Sequence, residues 1–145
     1  MTTIGHRAAL ELARASHQGT LVTIRGNGRP QLSNVLHALS DDRVVRISTT
    51  PGRAKTANLR RTPWGALHVN GPDFWSYAVL EGAVTMTAPV VDADDQVMAE
   101  LRDHYRAMQG EPDDWEPFHE LMLTERRLVV RLHADRGYGF RLDQH

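Results

Sequence analysis

Residues 20–39 read TLVTIRGNGRPQLSNVLHAL, two β-type runs joined by a turn rich in glycine. The first run alternates between the two faces and is rich in β-branched side chains, which is the pattern of a half-buried strand. Asn27-Gly28 between two such runs is a strong hairpin signal, because both residues tolerate positive φ. The segment therefore predicts a strand at 20–25, a turn at 26–30 and a return strand at 31–39.

The elements outside this hairpin follow from the same two periodicities. Strand-like runs lie at 44–49, 64–69, 75–87, 127–133 and 138–142, and helix-like spacing lies at 6–16, 51–61, 92–109 and from 113 to about 123. Thr50-Pro51 predicts the start of the second helix, with threonine as the N-cap and proline at the first helical position. About six strands with helices between them, and no βαβ alternation, predict a mainly β fold of the α+β class, an antiparallel barrel.

Length and composition place the chain among globular proteins. It has 145 residues, of which 41% are hydrophobic and 24% charged, and we expect a single domain spanning residues 1–145. The lack of cysteine excludes disulfide bonds, thiolate zinc sites and a cysteine nucleophile. The sequence has neither an apolar run long enough to span a membrane nor the apolar core of a signal peptide. We therefore expect a soluble, cytoplasmic protein without a membrane partner.

The net charge of −1 hides a strong asymmetry along the chain. Residues 1–72 carry ten arginines and lysines against three acids, whereas residues 73–145 carry seven arginines against fifteen acids. No acid lies between Asp42 and Asp73, and Lys55, the only lysine, falls within that window. An uneven distribution of this kind predicts an anionic partner for the first half of the chain.

The candidate anion site is the junction between strand and helix at residues 48–61. The hydroxyl groups of residues 48–50 would meet the start of the helix, where backbone amides are unpaired and the helix dipole is positive. Arg53 would grip a phosphate through two hydrogen bonds, and Lys55 would add a point charge. A solvated basic helix face is the alternative interpretation of this run of cations.

Other chemistries find little support in the sequence. Gly26-x-Gly28 lacks the third glycine of a nucleotide loop, the eight histidines lack the spacing of a zinc motif, and no Gly-x-Ser-x-Gly elbow is present. We expect no metal, and no nucleic acid either, because residues 43–61 contain no aromatic side chain for base stacking. Trp75-Ser76-Tyr77 is a candidate stacking wall for a planar ligand, with burial in the core as the alternative.

Several stretches of the chain together resemble a known family. The main ones are Gly28-Arg29-Pro30-Gln31-Leu32-Ser33-Asn34-Val35, then Arg53-Ala54-Lys55-Thr56 with Asn58-Leu59-Arg60-Arg61, then Trp75-Ser76-Tyr77-Ala78-Val79 with Glu81-Gly82, and shorter ones are Asp114-Trp115 and Thr124-x-Arg126-Arg127. Their order and separation resemble the flavin and deazaflavin oxidoreductases of the split β-barrel fold, which are related to pyridoxamine phosphate oxidase. The resemblance is closer to the mycobacterial-type subgroup of coenzyme F420-dependent enzymes.

This resemblance implies a split antiparallel β-barrel with peripheral helices, and a homodimer with two cofactor sites at the subunit interface. It also implies three groups of cofactor-binding residues. The phosphate region would be held by Arg53, Lys55, Thr56 and Asn58 with Ser48, Thr49 and Thr50, the ring system would lie along Gln31, Ser33 and Asn34, and Trp75, Ser76 and Tyr77 would form a further wall. Trp75 and Ser76 would come from the partner subunit.

The implied activity is that of an F420H2-dependent reductase acting on a small organic substrate. Hydride would pass from carbon 5 of the reduced deazaflavin to an electron-poor carbon, and water or the Tyr77 hydroxyl would supply a proton. The acid-free window holds six cations, more than one phosphate requires. Arg60 and Arg61 would then serve the oligoglutamate tail of F420, which favours F420 over FMN. The alternatives are an FMN-dependent enzyme similar to pyridoxamine phosphate oxidase and a non-catalytic F420 carrier.

Overall fold

A curled antiparallel sheet of nine strands, with four helices packed around it, makes up residues 1–143, the part of the chain that this computed structural model describes. The strands are β1 (Thr2–Ile4), β2 (Gln18–Ile24), β3 (Pro30–Leu36), β4 (Ala38–Leu39), β5 (Val44–Thr49), β6 (Trp64–Asn70), β7 (Tyr77–Met86), β8 (Leu128–His133) and β9 (Arg136–Arg141). The helices are α1 (His6–Arg14), α2 (Ala54–Arg61), α3 (Gln96–Gln109) and α4 (Glu116–Glu125).

The long strand β7 links the two halves of the barrel. The strand order is β3-β2-β6-β7-β8-β5-β4, and β9 pairs with both β7 and β1. Residues 77–81 of β7 pair with β9, whereas residues 84–86 pair with β8. Gly82 lies between these two registers, where a Cβ atom would collide with the carbonyl oxygen of His133. Glycine therefore lets the strand cross from one half to the other, and the predicted split antiparallel β-barrel of the α+β class is confirmed.

The core has two parts. The interior of the barrel is filled by aliphatic side chains such as Leu21, Ile47 and Leu80, and α1 covers it with Ala9 and Ala13. A smaller cluster lies under the other helices, where Met98, Leu101 and Met122 pack on Val90 and Val129. The alternation of apolar residues that predicts the strands therefore reflects a barrel filled on one face only.

The hairpin at residues 20–39 is confirmed, with one difference at its end. The turn closes when Arg25 N–H donates to the Arg29 carbonyl over 2.8 Å, and Gly28 adopts a φ of 82°. The return strand ends at Leu36 and resumes as β4 at Ala38. His37 interrupts it because its amide donates to the His17 carbonyl.

The predicted start of α2 is wrong by three residues. Thr50 does not cap the helix, and Pro51 precedes it, since the helix begins at Ala54 with Arg53 at the N-cap. The Thr50 carbonyl accepts hydrogen bonds from the Arg53 amide and the Thr56 hydroxyl. These bonds hold residues 50–53 as a turn, which places Arg53 at the start of the helix.

The remaining differences concern element ends. The helix predicted at 92–109 begins at Gln96, because the Asp95 carboxylate caps it by accepting the Met98 amide over 2.7 Å. The short strand β1 has too few residues to show a periodicity, and the sequence gives no sign of it. Within residues 1–143, no helix combines the length and the apolar character that crossing a membrane requires.

Candidate cofactor site

A cavity of about 430 Å³ lies between the strands β3 and β5 and the helix pair α3 and α4. Its two sides differ in chemistry. The polar side is formed by Ser48, Thr49, Arg53, Lys55 and Arg127, and the apolar side by Leu101, Tyr105, Met108, Phe118, Leu121 and Met122. Asn34 of β3 also lines the cavity. Five of the residues assigned to the site from the sequence are thus brought together here, namely Asn34, Ser48, Thr49, Arg53 and Lys55.

The polar side is built by the junction of β5, α2 and β8. The strand β5 ends at Thr49, and the following turn places Arg53 and Lys55 at the first residues of α2. Arg127 reaches the same place because β8 pairs with β5 in a register that sets Leu128 opposite Thr49. The Arg127 guanidinium donates to the carbonyl oxygen and the hydroxyl of Ser48 over 3.3 and 3.4 Å.

The cations of the polar side repel one another. Burial lowers the pKa of Lys55, and the charges of Arg53 and Arg127 lower it further. Within residues 1–143, neither Lys55 nor Arg53 forms an ion pair with a carboxylate, while Arg127 pairs with Glu125 over 3.3 Å. Three cations with one carboxylate between them create a positive potential, which an anion bound at this point would neutralise.

Thr56 and Asn58 lie behind the polar side and brace it. Both side chains are buried. The Thr56 hydroxyl donates to the Thr50 carbonyl over 2.8 Å. The Asn58 amide donates to the Thr23 hydroxyl over 3.1 Å and to the Gln31 side-chain carbonyl over 2.6 Å. The Asn58 bonds fix α2 to the hairpin of β2 and β3, and the Thr56 bond fixes it to the turn before the helix. The structure thus gives both residues a positioning role, and their direct contact with a cofactor stays a prediction.

The strand β3 presents its predicted ring-binding residues on two faces. Asn34 points outward between the exposed side chains of Leu32 and Leu36, whereas Gln31 and Ser33 are half-buried on the inner face. The Gln31 side chain is engaged with Asn58, and the Ser33 hydroxyl is enclosed without a hydrogen-bond partner among residues 1–143. Only Asn34 of these three lines the cavity, and the ring contacts of the other two remain predictions.

The other basic residues of α2 and the turn before it lie outside the cavity. Thr50 borders a shallow neighbouring groove together with Arg53 and Arg126. Arg60 is exposed. Arg61 donates to the Asn58 side-chain carbonyl over 2.8 Å, and its guanidinium lies over Gly26 of the hairpin turn. The contact of Arg60 and Arg61 with an anionic tail therefore stays a prediction.

Trp75, Ser76 and Tyr77 do not line this cavity. Ser76 is buried at the start of β7, where its hydroxyl donates to the Asp73 carboxylate over 2.8 Å. Tyr77 stacks on the His68 ring, with a centroid distance of 5.2 Å. Trp75 is exposed beside Phe74. These three residues therefore do not contact a cofactor bound in this cavity of their own chain, and their contact with the cofactor of a partner subunit stays a prediction.

The sequence reasoning missed Arg127, Glu125 and the apolar side of the cavity. Arg127 lies 79 residues from Ser48, and only the pairing of β5 with β8 brings the two together. The helical spacing of the residues in α3 was visible in the sequence, but the surface that this helix faces was not. The one signal for Arg127 in the sequence is the Arg126-Arg127 pair, which is part of the family resemblance.

Comparison with known proteins identifies the family. The family model for pyridoxamine 5'-phosphate oxidase matches residues 6–139. The chain belongs to this family. The match covers every strand of the barrel except β1 and the end of β9, and it includes the whole cavity.

Solved structures share the fold of this family member at low sequence identity. A conserved hypothetical protein from Mycobacterium tuberculosis is 20% identical, with a TM-score of 0.71 over 98% of this chain and 92% of that one. An F420 reductase is 23% identical, with a TM-score of 0.61 over 88% and 93%. A pyridoxamine 5'-phosphate oxidase-related, FMN-binding protein from Nostoc punctiforme is 17% identical, with a TM-score of 0.58 over 90% and 78%.

Proposed function

We propose that this chain is an oxidoreductase that uses reduced coenzyme F420 to reduce a small, electron-poor organic substrate. The observation that carries the proposal is the polar side of the cavity, where Arg53, Lys55 and Arg127 converge with one carboxylate between them. Its donors suit the phosphate of a flavin-type cofactor. Family membership and the likeness to an F420 reductase support the same class of activity.

The residues of the chain fit such a cofactor in three ways. Arg53 and Lys55 would bind its phosphate, helped by the hydroxyls of Ser48 and Thr49, and Asn34 would meet the polar edge of the ring system. When bound, the deazaflavin supplies a hydride from its carbon 5. The apolar side chains of α3 and α4 would keep water away from the substrate, and water at the open edge would deliver the proton.

We favour F420 over FMN as the cofactor because of the number of cations in and beside the cavity. One phosphate is satisfied by Arg53, Lys55 and Arg127, and the exposed Arg60 and Arg126 remain for further carboxylates. FMN is the second candidate, since three cations suffice for its single phosphate and the Nostoc protein is described as FMN-binding. A binding measurement with F420 and with FMN distinguishes the two candidates.

We further propose that two copies of the chain enclose the cofactor. One face of the sheet carries a row of paired residues, Asn34, Thr20, His68, Val79 and Tyr138, that runs from β3 to β9. Large side chains on this outer face are exposed, Leu32 by 62%, Leu36 by 51% and Tyr138 by 49%. Exposed apolar side chains at both ends of this row, on β3 and on β9, favour a second copy as the cover of this face. The exposed Trp75 would then reach the cofactor of the partner, whereas the buried Ser76 would hold the chain beside it through its hydrogen bond to Asp73.

The test of the cofactor is a fluorescence titration with F420 and FMN in parallel. Wild type should bind F420 more tightly, and Lys55→Ala should lose about ten- to a hundredfold in affinity, because one charge-assisted contact to the phosphate is removed. Arg7→Ala removes an exposed cation of α1 and should bind as wild type does. Tight FMN binding without F420 binding would make FMN the cofactor, and unchanged binding by Lys55→Ala would refute the phosphate site.

Turnover separates an enzyme from a carrier. The protein is mixed with F420H2 and a series of activated alkenes, imines and quinones, and reoxidation of the cofactor is followed by its absorbance. Acceptor-dependent reoxidation that needs the protein supports the reductase. Tight F420 binding with no reoxidation by any acceptor would favour the carrier.

A further inference from the structure

The apolar side of the cavity is a chamber that the phosphate-binding residues do not use. On α3, the side chains of Leu101, Tyr105 and Met108 follow one another at helical spacing toward the cavity. On α4, Phe118, Leu121 and Met122 face them. A surface of aliphatic and aromatic groups beside a cation cluster indicates space for a second, mainly uncharged molecule.

His104 is the one polar side chain of this chamber that is buried. It lies on α3 beside Tyr105, lines the cavity and is only 4% exposed. Its Nδ1 has no hydrogen-bond partner among residues 1–143. Since buried polar atoms are nearly always paired, an unpaired one beside a cavity shows that this imidazole has hydrogen-bonding capacity that the described residues do not use.

The imidazole of His104 is uncharged at neutral pH. Burial, and then the neighbouring charges of His37, His17 and Arg46, lower its pKa to about 4, while Glu100 acts in the opposite direction. A neutral imidazole offers one N–H donor and one acceptor nitrogen. His104 therefore attracts a neutral polar group and gives no counter-charge to an anion.

In the groove on the other side of α3, the charged groups are paired without His104. His104 also borders that groove, which contains Arg46 and Glu100. There the Glu100 carboxylate already accepts from the Arg46 Nε over 2.9 Å and from the Arg131 Nε over 2.8 Å. Because Glu100 pairs with Arg46 and Arg131, none of these charged groups occupies the His104 imidazole, which can therefore bind a ligand in the chamber.

We propose that this chamber binds an uncharged, mainly apolar molecule with a carbonyl group, and that His104 determines this specificity by donating a hydrogen bond to the carbonyl oxygen. This extends the proposed function, in which such a molecule is the acceptor substrate. A carboxylate or phosphate on the ligand would instead compete for Arg53 and Lys55. The acceptor class is therefore neutral ketones, enones and quinones rather than organic acids.

The test uses cofactor-free protein and two probes that differ in one oxygen, 1-tetralone and tetralin. In isothermal titration calorimetry, wild type should bind 1-tetralone about three- to tenfold more tightly than tetralin, as expected for one neutral hydrogen bond. His104→Phe should bind both probes alike. His37→Phe is the matched control, because His37 is also buried with an unpartnered Nδ1 but does not line the chamber. This variant should keep the preference.

A measurement on the wild-type chain guards against a His104→Phe variant that does not fold. In the nitrogen spectrum of ¹⁵N-histidine-labelled protein, 1-tetralone should shift the ring resonances of His104 and leave those of His133 unchanged. Equal binding of both probes by wild type, a preference that survives in His104→Phe, or unmoved His104 resonances would each overturn the proposal. None of these results depends on F420, so that failure here and failure of the cofactor titration are separate outcomes.

Discussion

At the scale of single residues, Glu125 limits the positive potential of the polar side. Its carboxylate pairs with the Arg127 Nε over 3.3 Å, and it is the one acid that lines the described cavity. Glu125→Gln removes this negative charge while keeping the size of the side chain. We expect about two- to fivefold tighter binding of a phosphate-bearing cofactor, which is the effect of one partly exposed charge.

The control for this prediction is Glu120→Gln on the exposed part of the same helix. It changes the net charge equally but lies outside the cavity, so its affinity should stay that of wild type. Equal tightening in both variants would attribute the effect to net charge alone. Weaker binding by Glu125→Gln would mean that the carboxylate orients Arg127 rather than opposing it.

His104 should also make the fold sensitive to acid. Its pKa is about 4 in the folded chain, mainly because of burial, against 6.5 for the unperturbed group. As pH falls, the unfolded chain takes up the proton first, so the free energy of unfolding decreases between about pH 6.5 and 4, by up to about 3 kcal/mol. Urea denaturation of wild type and His104→Phe at several pH values measures this. Identical pH dependence in both would contradict it.

At the scale of elements, α2 owes its position to Asn58. This buried side chain joins the helix to Thr23 and Gln31 and accepts from Arg61. Asn58→Ala leaves the buried Thr23 hydroxyl and the half-buried Gln31 side-chain carbonyl without this donor, and we expect a loss of about 1 to 3 kcal/mol in the free energy of unfolding. Arg60→Ala, on the exposed face of the same helix, should change it by less than about 0.5 kcal/mol.

Urea denaturation of both variants, combined with the F420 titration, tests this role. A displaced α2 moves Arg53 and Lys55, so that Asn58→Ala should also weaken cofactor binding. If binding weakens with no loss of stability, Asn58 contacts the cofactor directly, as the family resemblance implies.

The helices and strands also show how much of the structure can be predicted from the sequence. Alternation in residues 20–39 and the hydroxyl-rich, basic run at residues 48–61 are local patterns, and they predict the hairpin and every residue of the polar side except Arg127. The start of α2 was placed at Pro51 because its rule considers only residue type, whereas the Thr56 hydroxyl and the Thr50 carbonyl decide it in the structure. The position of Arg127 depends on the pairing of β5 with β8, and the apolar side depends on how α3 and α4 pack against the barrel. No local pattern contains either of these.

At the scale of the whole molecule, the charge asymmetry along the sequence corresponds to the two sides of the cavity. The basic first half supplies α2 and the end of β5, and the acidic second half supplies α3 and α4 on the opposite side of the cavity. The cavity therefore lies between the two halves of the sequence. The outer face of the sheet borders the cavity only at β3, through Asn34 and Leu36, and leaves Leu32 and Tyr138 exposed.

That outer face should be the dimer interface. Light scattering should give wild type twice the mass of the chain, and Leu32→Glu should shift it to the monomer, because a carboxylate would be buried in an apolar contact. Val91→Glu is the matched control, since Val91 is 79% exposed in a loop away from the sheet. It should leave the dimer intact. F420 affinity should fall with the dimer in Leu32→Glu if Trp75 of one subunit completes the site of the other. A monomeric wild type, or a dimer that survives Leu32→Glu, would place the interface elsewhere.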